Sequence, residues 1–182
     1  MTTLLAFTLL VAVVGLERVA ELVVSTRNAA WSRERGGVES GLGHFPFMVV
    51  LHTALLVGAL AEAWVRRPDV PSLLAWSMLG LVIGSQALRW WCIATLGRRW
   101  NTRVIVVPSL PPVTSGPYRL LRHPNYVAVV VEGVALPLVH AAWITAVVFT
   151  VLNAGLLAVR IRTEDAALAT LPSAASPEPA DA

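Results

Sequence analysis

The sequence predicts an all-α integral-membrane bundle of about five transmembrane helices, the last two forming a tight hairpin. Three observations lead there. Hydrophobic residues make up 56% of the chain and charged residues only 14%, against about 45–50% and about 25% in soluble domains. The mean hydropathy is +0.68. The apolar residues also gather into long blocks, separated by short stretches rich in arginine, proline and glycine.

Each block can be justified in turn. Residues 4–24, 45–65 and 72–96 are predominantly apolar and near the roughly 20 residues that a helix needs to cross a bilayer. The fourth block, 126–159, is too long for one span. Pro137 interrupts it, because proline removes a ladder hydrogen bond and clashes with the preceding turn. The expected products are two helices at 125–139 and 142–162, joined around Val139 and His140. Residues 1–170 then form a single transmembrane domain. The tail, 171–182, is Pro-rich and poor in hydrophobic residues, and is expected to be disordered.

The basic residues orient the bundle. All 14 are arginines. Arg27, Arg33 and Arg35 follow the first helix. Arg98, Arg99, Arg103, Arg119 and Arg122 follow the third, and Arg160 and Arg162 end the fifth. With five spans these three groups share one face, opposite Arg66 and Arg67. The positive-inside rule puts that face in the cytoplasm, with the N-terminus outside and the C-terminus cytoplasmic. A chain without lysine and rich in Ala, Val and Arg suggests a GC-rich bacterial genome, hence a bacterial inner membrane.

Several classes are disfavoured. A pI near 10.0 is explained by arginines at helix ends, where they meet lipid headgroups, so no nucleic-acid partner is expected. A cleaved signal peptide is not expected, since Met-Thr-Thr carries no positive n-region and Glu17, Arg18 and Glu21 interrupt the apolar run. The single Cys92 excludes an intrachain disulfide and a cysteine zinc site. No His/Asp/Glu set has ligand spacing, so no metal is expected. No glycine-rich loop follows a strand, which argues against a soluble nucleotide-binding domain. The tryptophans Trp31, Trp64, Trp76, Trp90, Trp91, Trp100 and Trp143 fall mostly where interfacial belts are expected.

The chemistry concentrates in the loop 97–123 and the helix ends beside it. Residues 104–107 are a β-branched run, expected to be extended or part of a small hairpin. Arg98 and Arg99 read equally well as topology signals. Arg119, Arg122 and His123 precede Pro124, which suits the first position of a helix. His123 then stands at the N-cap, where free N–H groups and the helix dipole favour an anionic ligand. The competing reading is that Arg122 and His123 snorkel into headgroups.

Glu132 lies within apolar sequence, where a carboxylate needs a partner or a cavity. It reads either as a substrate-binding group or as the partner of Arg89. Arg160 and Glu164 are four apart on one helical face, and Arg162 and Asp165 three apart on another. Arg18 and Glu21 suit an i,i+3 pair. His44 and His52, with Glu39 nearby, are candidates to line a substrate cavity. His140 reads as structural, on the far face.

Gly-Pro-Tyr-Arg-Leu-Leu-Arg-His-Pro-Asn-Tyr at 116–126, followed by Arg-Ile-Arg-Thr-Glu-Asp-Ala-Ala-Leu at 160–168, resembles the isoprenylcysteine carboxyl methyltransferase family over roughly residues 95–170. Glu-Arg-Val-Ala-Glu-Leu, Ser-Thr-Arg-Asn and His-Phe-Pro-Phe-Met-Val-Val-Leu-His in the first half resemble a bacterial branch associated with O-methylation of alkylpyrones. The resemblance implies S-adenosyl-L-methionine as cofactor, bound on the cytoplasmic side. By position it implies cofactor binding by Arg122, His123, Pro124, Tyr126 and Glu164, with Arg160, Arg162 and Glu164 at the reacting groups. Ala128 departs from the usual glycine, and Asp165 from the second glutamate of a common pair. The implied partner is a lipidic or prenylated acceptor drawn from among membrane lipids. Two alternatives remain: a sterol-type NADPH reductase with a similar Arg-His-Pro-Asn-Tyr motif, and a non-catalytic lipid-binding subunit.

Overall fold

The computed structural model describes residues 1–171, so most of the tail expected to be disordered lies outside the described residues. Five helices dominate: α1 (Thr2–Arg33), α2 (Phe45–Arg66), α3 (Ser72–Leu96), α4 (Pro124–Leu138) and α5 (Trp143–Leu168). Two short strands, β1 (Val38–Ser40) and β2 (Val104–Val106), pair antiparallel with Glu39 opposite Ile105. The protein is an integral membrane protein. Helices α1, α2, α3 and α5 are long and apolar enough to cross a membrane, and Leu9, Val57, Ile83 and Val151 are among the large apolar side chains left exposed on them.

α4 has only 15 residues. It tolerates being short because its neighbours enclose it: Tyr126, Ala128, Val129, Glu132, Gly133 and the run from Ala135 to Leu138 are all buried. Small residues allow the close approach, since helices in lipid associate through packing rather than water exclusion. A Cβ on Gly133 would collide with the Phe149 ring of α5.

The α4–α5 connection is a tight turn. Ala141 adopts φ +52°, and the Ala142 N–H donates to the Pro137 carbonyl at 2.9 Å. Glu62 of α2 then caps α5. Its carboxylate accepts from the Ile144 N–H at 3.1 Å and from the Thr145 N–H at 2.8 Å, so two helix-terminal donors are satisfied by one side chain.

The interior is layered along the bundle axis. At the end holding Glu62, an apolar core joins Leu4, Phe7, Val11 and Val14 to Ala59, Ala63, Val82, Ala135 and Leu136. The His140 ring packs at a tilt of 38° against Phe7 there, with ring centroids 5.3 Å apart. Below lies a buried charge cluster. Arg18 pairs with Glu21 at 2.9 Å, and Arg89 with Glu132 at 2.5 Å. Glu17 accepts hydrogen bonds from Gln86 and from Trp90 Nε1. These charges tie α1, α3 and α4 together where unpaired charge is costly.

Two helices run past the ends expected from hydropathy. The sequence reading stops the first helix at residue 24, but α1 continues to Arg33. The extension is held by a polar stripe, Glu21, Ser25, Asn28 and Ser32, all buried and spaced at helical period. Asn28 Nδ2 donates to the Trp100 carbonyl at 2.7 Å, and Ser25 Oγ accepts from the Thr102 N–H at 3.0 Å. α5 likewise continues beyond 162 to Leu168, because Ala167 packs with Val104 and Val106 of β2. The extended segment at 104–106 is present, but its partner is β1 rather than a neighbouring strand of the same loop.

Candidate active site

A cavity of about 400 Å³ opens at the end of the bundle where loop 97–123, β2 and the ends of α1 and α5 meet. Arg122, His123, Tyr126, Arg160 and Glu164 line one side of it. Trp100, Asn101, Arg103 and Tyr118 contribute elsewhere, with an apolar wall from Val104 to Val107 and from Leu110 to Val113.

Local sequence explains the convergence. Gly116 sits at φ +56°, and a Cβ there would collide with Thr95, so the loop can fold down onto α3 only with glycine at this position. Pro124 is fully buried at the start of α4 and makes His123 the N-cap residue. Tyr126 follows one turn into the helix. Arg160 and Glu164 meet it from α5, one helical turn apart.

Tyr126 is the hub. Its hydroxyl donates to Glu164 Oε2 and accepts from Arg160 Nε at 2.8 Å. Its ring stacks on His123, with centroids 5.3 Å apart and planes at 23°. His123 faces two carboxylates. Nε2 lies 3.0 Å from Asp165 Oδ1, and Nδ1 lies 3.6 Å from Glu164 Oε1, an ion-pair rather than hydrogen-bond separation. Glu164 first, then Asp165, outweigh burial and hold the imidazole pKa above its ordinary 6.5. Asp165 also takes Arg122 Nη2 at 3.1 Å.

The remaining candidates lie elsewhere. Arg162 is exposed on α5 and does not line the cavity. Glu132 sits in the membrane-embedded charge cluster, bonded to Arg89, rather than among the cavity residues. His52 packs edge-on against Phe149 and bonds the Met48 carbonyl at 2.8 Å. His44 is half-buried beside Gly41, and burial together with the nearby Arg160 charge lowers its pKa. Arg160 and Glu164 are linked through Tyr126, and the described residues contain no Arg162–Asp165 ion pair.

Trp100, expected in an interfacial belt, is instead buried at the cavity, and sequence reasoning passed over Asn101, Asn125 and the link between Glu39 and Arg103. Buried polar atoms without partners are found at Trp100 Nε1, Asn101 Nδ2, His123 Nδ1 and Asn125 Oδ1. Asn125 lies inside the Arg-His-Pro-Asn-Tyr motif and was the one with a visible signal. Among the described residues, no group of three or more His, Cys, Asp or Glu side chains is arranged to hold a metal ion.

The model of the isoprenylcysteine carboxyl methyltransferase family matches residues 78–170. An uncharacterized protein of Bacillus subtilis, YpbQ, is 35% identical over 162 residues, covering 89% of this chain and 96% of its own length. An uncharacterized protein of Haemophilus influenzae is 27% identical over 157 residues, covering 85% of this chain and 90% of its own. No solved structure matches the chain.

Proposed function

Because the chain belongs to the isoprenylcysteine carboxyl methyltransferase family, whose members are membrane methyltransferases using S-adenosylmethionine, we propose that it transfers a methyl group from that donor to an oxygen of a lipidic acceptor. The observation that carries this reading is the Arg160–Tyr126–Glu164–His123 chain on the wall of one cavity.

The cavity suits the donor. About 400 Å³ falls within the roughly 300–1,000 Å³ usual for small-molecule sites. The unpaired atoms of Trp100, Asn101 and Asn125 offer hydrogen-bonding groups of the kind a nucleoside and an amino-acid end would use. Glu164 supplies negative charge for a cationic ligand, and Arg122 and His123 supply positive charge for a carboxylate. When bound, S-adenosylmethionine supplies a methyl group on a sulfonium leaving group.

The chain's own work is positioning. Arg160, fixed by Tyr126, keeps further guanidinium N–H groups with which to hold an ionised acceptor oxygen. An ionised oxygen held by Arg160 would be the nucleophile for the methyl group that the donor would supply. Both ring nitrogens of His123 face carboxylates, which raise its pKa, so the ring is committed to Glu164 and Asp165 rather than free as a general base. This favours an acceptor that arrives ionised, a carboxylate or an acidic enol such as an alkylpyrone, over a neutral alcohol. The acceptor's chain stays among the exposed apolar residues of the spanning helices. The arginine-rich end that carries the cavity faces the cytoplasm of a bacterial inner membrane in this reading, following the positive-inside rule.

The test is transfer of labelled methyl from S-adenosylmethionine to a bacterial lipid extract by purified protein in detergent. Label is expected in the lipid phase. Release as methanol by mild base identifies a carboxyl ester, and base-stable label an enol ether. Absence of lipid label with every extract tried, alongside a thermal shift with NADPH, would replace the methyltransferase reading with a reductase.

A further inference from the structure

Glu39 lies in the short segment between α1 and α2, outside the cavity lining. Its carboxylate joins two arginines. Oε1 is 2.9 Å from Arg103 Nη1, and Oε2 is 3.0 Å from Arg33 Nη2. Burial alone would raise its pKa, but the hydrogen bonds from Arg103 and Arg33 prevail and hold it below the usual carboxylate range, so Glu39 is ionised at neutral pH.

Arg103 does line the cavity. It immediately precedes β2, and its guanidinium lies over the Phe45 ring, 4.6 Å from the centroid. The β2 residues Val104 and Val106 line the cavity and also pack with Ala167 of α5. Glu39 sits in the middle of β1, the strand that pairs with this wall. The segment is threaded closely: Gly41 adopts φ +70°, and a Cβ there would strike the His44 ring and Thr163 of α5. Removing the carboxylate would leave two arginines facing each other with no anion between them.

We propose that Glu39 is a positioning residue for the donor site: acting through Arg103, it fixes the β2 wall against which S-adenosylmethionine binds. This rests on the methyltransferase reading. A wall that touches the donor equally before and during transfer affects binding rather than the chemical step, so a change in KM with little change in kcat is the signature.

The experiment compares the purified full chain with Glu39→Gln, Glu39→Asp, Arg103→Gln and the Glu39→Gln/Arg103→Gln double variant. Calorimetry gives Kd for S-adenosylmethionine, and methyl transfer gives KM and kcat. Glu39→Gln should weaken Kd and raise KM about tenfold while kcat stays within about twofold. Glu39→Asp should recover most of the affinity. The double variant should bind no worse than the weaker single, because the two residues act as one unit. Unchanged Kd, a fall in kcat matching that in kcat/KM, or additive losses in the double variant overturns the proposal.

Hydrogen exchange at residues 104–106, measured without ligand, separates the two levels. It should be faster in Glu39→Gln than in the wild type, and equal exchange removes the link. If the wild type binds no S-adenosylmethionine, the methyltransferase reading fails while the exchange result still judges the contact. Should Glu39→Gln fail to fold, Glu39→Asp and Arg103→Gln carry the same comparison.

Discussion

Tyr126 and Glu164, 38 positions apart, are joined by a hydrogen bond from the tyrosine hydroxyl to the glutamate carboxylate. The same hydroxyl accepts from Arg160, so one phenol oxygen links a cation and an anion on α5 to the start of α4. Tyr126→Phe removes that oxygen and keeps the ring. It leaves Arg160, 6% exposed, without its acceptor. The expected cost is about 1–3 kcal/mol. In the methyltransferase reading, a loss of that size from the transition state is about 5–160-fold in kcat/KM, measured by labelled methyl transfer, with folding intact by circular dichroism. Unchanged kinetics would show that Arg160 is oriented by something else.

His123 gives a pH signature. Its folded pKa is raised above the ordinary 6.5 by Glu164 and Asp165. A raised pKa means that protonation favours the folded state. The contribution is therefore fully present below pH 6.5 and is lost as pH rises through the folded value. The melting temperature of the wild type should exceed that of His123→Gln most in mildly acidic buffer. The gap should narrow as pH is raised above neutrality, and a gap that widens instead would contradict the assigned charge state.

The sequence carried the helices and the motif residues well, and the connections poorly. Hydropathy located five helices because the lipid-facing residues Leu9, Val57, Ile83 and Val151 need no polar partner. It ended α1 early because Ser25, Asn28 and Ser32 read as a polar boundary. They are a buried stripe holding loop 97–102, and their 4-3-4 spacing from Glu21 was the available signal. The pairing of β1 with β2 was not legible, since three-residue strands far apart in sequence carry almost no periodicity. The Arg-His-Pro-Asn-Tyr motif pointed to His123 and Tyr126. Which carboxylate faced which cation was not legible, because it depends on how α5 is rotated against α4.

The charge cluster makes a separate prediction. Arg89→Leu takes from Glu132 its closest partner and leaves it only Arg18 at 3.8 Å, and Glu132→Leu leaves Arg89 only Glu21 at 3.8 Å; either change unbalances a buried cluster and should cost up to about 3–5 kcal/mol, seen as loss of folded protein from membranes. The double variant Arg89→Leu/Glu132→Leu keeps the Arg18–Glu21 pair and should regain most of the yield. If Glu132 binds substrate as well, the folded double variant will have lost methyl transfer. If the pair is structural, activity returns with the fold.

Gly133→Ala tests the α4–α5 contact. The added Cβ would meet the Phe149 ring, and overpacking of this kind costs about 1–3 kcal/mol. A lower melting temperature is expected, relieved by Phe149→Leu in the same chain. An unchanged melting temperature would mean that the two helices stand further apart than described.

The central claim is that the cavity beside Tyr126 holds S-adenosylmethionine, and calorimetry on the detergent-purified full chain tests it most directly. Saturable binding at one site is expected for the wild type, with binding abolished by Glu164→Ala in protein that remains folded. Equal affinity in the wild type and the variant would remove Glu164 from the site, and no binding by the folded wild type would contradict the assignment of the cavity altogether.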